Sequence, residues 1–71
     1  MCIIAYIKPN QQITDQTIRI MFRGNSDGAG IMYQQSRKHN PRIIKGFMNV
    51  EELIKAFRSI PEHFERAIHC R

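Results

Sequence analysis

Asn49-Val50-Glu51-Glu52-Leu53-Ile54-Lys55-Ala56-Phe57-Arg58-Ser59-Ile60-Pro61 is the clearest helix in this chain, and its neighbours are read from it. Val50, Leu53, Ile54 and Phe57 recur at helical spacing and make one apolar stripe, which Ile60 extends. Asn49 and Glu52 pair like a capping box, with Asn in place of Ser or Thr. Glu51 and Lys55 stand four apart with the acid first, a favourable helical pair. Pro61 stops the helix, because it has no N–H and its ring clashes with the preceding turn.

Upstream, Arg42 to Phe47 and Ile31 to Gln35 read as strands. The polar connection Ser36 to Pro41 joins them into a hairpin with a loop longer than the commonest turns. Asn25 to Gly30 reads as a glycine-bearing turn, in which Asp27 can bond its own backbone. Residues 15–23 read as a short helix. Thr14 caps it, Asp15 suits its first turn, and Ile18, Met21 and Phe22 share a face. A helix this short is unstable alone and must pack on something. Residues 2–7 are apolar and β-branched, hence a strand, ended by Lys8-Pro9-Asn10. Residues 66–70 read as a final strand. The order is β-α-β-β-α-β, and the fold class is α+β, two helices against a mainly antiparallel sheet.

Seventy-one residues make one small domain or part of a larger one. A chain of this size buries only about 60% of its unfolded surface. Two cysteines are too few for a disulfide scaffold, and His39, His63 and His69 are scattered, so neither a metal nor a cofactor is expected. Free thiols point to a reducing compartment, the cytoplasm. No apolar run approaches the roughly 18 residues of a membrane span. The net charge of +5 favours acidic partners, but the basic residues are spread along the chain. The last strand runs to Arg71 with no turn, cap or polar tail. Residues 1–71 are therefore read as a single, incomplete domain cut mid-strand.

Cys2 follows the initiator Met1, and a side chain this small permits removal of Met1. The exposed α-amine titrates near pH 8 and can serve as base to its own thiol, the arrangement of an N-terminal nucleophile. Taken alone, a cysteine beginning a strand is more simply a small buried apolar residue. Other motifs accompany it: Met1-Cys2-Ile3-Ile4, the turn Arg23-Gly24-Asn25-Ser26-Asp27-Gly28-Ala29-Gly30, Lys45-Gly46 before a helix, and His69-Cys70-Arg71. Together, in this order, they make the chain resemble the N-terminal part of a class II glutamine amidotransferase domain, an N-terminal-nucleophile hydrolase. Members begin Met-Cys-Gly-Ile, carry an Arg-Gly-x-Asp-Gly-x-Gly-like turn leading into a hairpin, and later carry His-x-Arg-x-Ala-Thr-x-Gly.

The resemblance implies that Cys2 attacks the side-chain amide of glutamine and forms a thioester. It implies that Arg71 holds the glutamine carboxylate, a role suited to a planar, two-pronged guanidinium. Arg23, Gly24, Asp27, Gly28 and Gly30 become a structural turn near the site, and His69 a structural position. The resemblance further implies glutamine as the substrate and an ammonia acceptor in another domain or chain. The departures are Ile3 where the family has Gly, a turn one residue longer than in several members, and no Ala-Thr-x-Gly or oxyanion-hole segment. Losing one oxyanion donor costs about 100- to 1000-fold in rate, so residues 1–71 alone are expected to turn over little glutamine. The family fold is a sandwich of which this is half. A lone half exposes an apolar sheet face, which invites a second copy or a complementing C-terminal segment.

Arg37, Lys38, His39 and Arg42 crowd the hairpin loop. They are read as a solvated loop; the alternative function is a small standalone basic nucleic-acid- or protein-binding module on a degenerate scaffold, with nucleic-acid phosphates contacted by Arg37, Lys38 and Arg42. No aromatic interleaves there to stack a base, although Tyr33 is near. Tyr6, Phe22, Phe47, Phe57 and Phe64 are expected in or beside the core, Met21, Met32 and Met48 as core fillers, and Cys70 as a buried thiol.

Overall fold

The computed structural model describes residues 2–71. The elements are β1 (Ile3–Ile7), α1 (Asp15–Gly24), β2 (Ala29–Gln34), β3 (Arg42–Phe47), α2 (Val50–Arg58) and β4 (Glu65–Cys70). The four strands form one sheet in the order β1-β4-β2-β3, and every neighbouring pair is antiparallel. β1 and β2 both run against β4, so they are parallel to each other with β4 between them. β3 and β4 stand in the same relation across β2. Each helix therefore connects two parallel strands that are split by a third.

Strand alternation sorts the sheet into two faces. Ile7 of β1, Ala29 and Ile31 of β2, and Ile68 and Cys70 of β4 are buried against Ile18 and Met21 of α1 and Leu53, Ile54 and Phe57 of α2. Ile60 lies past the end of α2 and is buried in the same cluster. Each fully buried Ile, Leu or Phe contributes about 2–3 kcal/mol relative to exposure. The helices cover this one face of the sheet.

Local chemistry sets the helix ends. The Thr14 hydroxyl accepts from the Thr17 N–H at 3.1 Å. The Asn49 side-chain Oδ1 accepts from Glu51 and Glu52 N–H at 2.8 and 3.3 Å. Glu51 reaches the Arg19 guanidinium on α1, rather than Lys55 on its own helix. Arg58 on α2 binds Asp15 on α1 at 2.6 Å and also donates to the Ile13 carbonyl. These two exposed ion pairs clasp the helices together but are each worth at most about 1 kcal/mol. After β1 the chain turns at Pro9-Asn10. Asn10 takes a left-handed φ of 66°, which Asn tolerates better than most residues, and donates its N–H to the Glu62 carbonyl at 2.8 Å.

The opposite face of the sheet is uncovered. Tyr6, Ala67, Met32 and Ile43 are successive cross-strand partners and form an apolar row over all four strands. Ile4 is 69% exposed beside it. Tyr6 and Met32 therefore lie on the open face and not in the core, because their positions in β1 and β2 alternate away from the helices. Met48, in the link from β3 to α2, is 67% exposed and fills no core space either. Phe57 is fully buried, and Phe22, Phe47 and Phe64 pack at the core edge.

Candidate functional site

The pieces of the glycine turn and of the chain's two ends meet at one end of the sheet. Cys70 is the ladder partner of Ile3 on one side and of Ala29 on the other. One residue beyond that rung stand Cys2, Arg71 and Gly28. The Arg71 N–H donates to the Gly28 carbonyl at 2.9 Å, and the Asp27 N–H donates to the Arg71 carbonyl at 2.7 Å. Residues 27 and 28 thus continue the β2–β4 ladder past the end of β2.

Gly28 has φ 151°, a conformation that side chains rarely adopt. Gly30 sits inside β2, where a Cβ would come within 3.2 Å of the Ile44 carbonyl oxygen. The ladder slips at Ala29/Gly30, and the missing side chain lets β3 approach there. Arg23 and Gly24 are the last two residues of α1 and not part of the turn itself. Asn25 caps that helix: its N–H donates to the Phe22 carbonyl, and its buried side-chain amide donates to the Met21 carbonyl at 3.2 Å.

The two thiols differ in setting. Cys2 is exposed at the start of the edge strand, whereas Cys70 faces the helices and is buried. Burial pushes the Cys70 thiol up from its ordinary pKa, which leaves it protonated and unreactive. Arg71 is exposed, so its guanidinium is free to meet a ligand. Asp27, Gly28, Gly30, Lys45, His69 and Arg71 line an open depression of about 460 Å³ on the uncovered face, and its floor is apolar. No group of three or more His, Cys, Asp or Glu side chains among the described residues is placed to hold a metal ion.

The hairpin cations are divided. Arg37 lies 3.7 Å from the Glu65 carboxylate, which also accepts from the Tyr6 hydroxyl. That hydrogen bond, with burial second, raises the Tyr6 pKa. His39 is bonded to the Ser36 hydroxyl at 2.7 Å, and the Lys38 N–H donates to the same oxygen. Arg42 pairs with Tyr33 in the β2–β3 ladder, on the helix-side edge. Arg37 is thus held by an ion pair and Arg42 by its place in the ladder, whereas the contact at Lys38 is made by its backbone N–H.

Sequence reasoning did not single out Lys45 as a cation of the open face. The only signal was alternation along Arg42-Ile43-Ile44-Lys45, blurred because both isoleucines are exposed on an edge strand. It also gave no warning of Arg66. This arginine is 2% exposed, donates to the Gln11 carbonyl at 2.5 Å and the Phe64 carbonyl at 3.2 Å, and lies 5.0 Å over the Phe57 ring. Comparison with known protein families, with curated proteins and with solved structures finds no match to this chain. Among the described residues no helix is long and apolar enough to cross a membrane.

Proposed function

We propose that this chain carries the nucleophile end of a thiol-dependent glutamine hydrolase of the class II amidotransferase type. The observation that carries it is the convergence at the sheet end. Cys2, the Asp27-Gly28 pair and Arg71 are far apart in sequence, yet they occupy one rung and its neighbours. An exposed thiol that gains its own α-amine once Met1 is removed, near an exposed guanidinium, supplies the nucleophile and the carboxylate grip for attack on an amide whose other end bears a carboxylate.

In the proposed reaction the Cys2 sulfur bonds to the glutamine δ-carbon. The C–N bond breaks, and the nitrogen leaves as ammonia after taking the thiol's proton by way of the α-amine. Water then attacks the thioester, releases glutamate and restores the thiol. Arg71 orients the substrate by gripping its α-carboxylate. The open depression that Asp27, Gly28 and Arg71 line leaves space for a ligand of that size at the same end of the sheet. Ile3 adds bulk where the family has Gly, and its side chain turns toward the helices, away from the uncovered face.

The test is glutamate release by the protein as the cell makes it, with Met1 removed. Replacing Cys2 with Ala abolishes turnover if the reading is right. Unchanged turnover in that variant rules it out.

A further inference from the structure

The open face of the sheet has a gap in its side chains at Gly30. Gly30 on β2 stands directly between Lys45 on β3 and His69 on β4, its partners in the two ladders. Neighbouring strands lie about 4.8 Å apart, so Lys45 and His69 rise about 10 Å from each other over bare backbone. The Lys45 stem leans toward the gap, with its Cγ 3.9 Å from where a Cβ on Gly30 would be. Arg71 follows His69 by two positions and lines the same depression.

These cations lack acidic partners. Among the described residues, the ion pairs are Arg19–Glu51, Arg37–Glu65 and Arg58–Asp15, so neither Lys45 nor Arg71 has one. Asp27 is the single acid on the depression's lining. With Lys45 and Arg71 counted against Asp27, the site keeps a formal charge of +1 when His69 is neutral. Glu65 lies on a rung farther along β4 and is engaged by Tyr6 and Arg37. Two donors facing each other across a gap about 10 Å wide leave room for one small anion between them, and each can make a charge-assisted or N–H hydrogen bond to it.

We propose that the gap over Gly30 is an oxyanion subsite, in which Lys45 and His69 bind a carboxylate or phosphate group of a small molecule. It uses residues other than Cys2, so it stands or falls separately from the glutamine reading. The ligand extends from the subsite along the apolar floor made by Ile4, Met32 and Ile43.

The experiment is an NMR titration of the 71-residue chain with inorganic phosphate and, separately, acetate, with ionic strength held constant by chloride. Saturable shifts centred on Gly30, Lys45 and His69 are expected. Lys45→Ala should weaken binding about tenfold, the effect of losing one hydrogen bond to a charged group. Lys45→Arg should retain binding, and Lys38→Ala in the hairpin loop should leave it unchanged. Saturation by phosphate only, or by acetate only, supports the subsite and names the headgroup. Shifts that grow linearly, that spread equally over Lys38 and Arg42, or that survive unchanged in a folded Lys45→Ala variant overturn it.

Discussion

The backbones of Asp27 and Arg71 are joined by a 2.7 Å hydrogen bond from the Asp27 N–H to the Arg71 carbonyl. With the return bond from the Arg71 N–H to Gly28, it makes the glycine turn an extension of the central ladder. The turn therefore sets where the Arg71 side chain stands relative to the edge strand that bears Cys2. Backbone geometry at residue 28 and the position of residue 71 are linked through this rung.

Gly28→Ala is expected to destabilise the chain by about 1–2 kcal/mol, because an L side chain at φ 151° is strained. Gly24→Ala is expected to do the opposite. It has open space around it and closes a helix, where Ala gains about 0.5–1 kcal/mol over Gly. Urea unfolding of both variants gives the comparison, and equal effects would mean that the glycine turn has no special backbone requirement.

Arg66→Ala should cost about 2–3 kcal/mol. It removes hydrogen bonds to the Gln11 and Phe64 carbonyls and a cation stacked on Phe57. Burial lowers the Arg66 pKa from its ordinary value, so the charge is held by these carbonyls at the expense of its hydration. Arg66→Lys should recover less than half of the loss, since one ammonium cannot reach both carbonyls and cover the ring. Full recovery with Lys would show that charge alone matters there.

Iodoacetamide at neutral pH should modify the native chain once, at Cys2, and twice after denaturation. Cys2 is exposed and Cys70 is buried with its thiol held protonated. Mass spectrometry of tryptic peptides reads the site. Native labelling at Cys70 would mean that the helices do not cover β4 as described.

Cys70 also predicts an alkaline limit to stability. Its folded pKa is raised by burial, so the folded chain keeps a proton that the unfolded chain gives up. That contribution is fully present below the unfolded thiol range of about 8.5 and is lost as pH rises above it. Stability measured from pH 8 to pH 10 should fall more steeply in the parent than in Cys70→Ala. Parallel slopes would exclude Cys70 as the cause.

The order of elements was legible because Val50, Leu53, Ile54 and Phe57 keep helical spacing and because turn residues close the first strand and flank the hairpin. The antiparallel pairing was also within reach, since the hairpin between β2 and β3 is local. The strand order was not, because nothing in the pattern of β4 says that it inserts between β1 and β2. Glu51 has two cations in range, and only the packing of α1 on α2 favours Arg19 over Lys55. Tyr6 and Met32 look like core residues by type. A period-two strand puts half its side chains on each face, and only the structure shows that one face is bare. The candidate site was legible as residue types in order, while the rung that joins them depends on the β4 insertion.

The most direct measurement for the central claim is covalent labelling of the chain, after Met1 removal, by a diazoketone analogue of glutamine, with the adduct located by peptide mapping. The account predicts an adduct on Cys2, faster for the L than for the D enantiomer, and slowed about tenfold or more by Arg71→Ala through loss of the carboxylate grip. Labelling that is indifferent to enantiomer and unchanged in Arg71→Ala would contradict it, and would leave Cys2 as an exposed thiol with no glutamine site beside it.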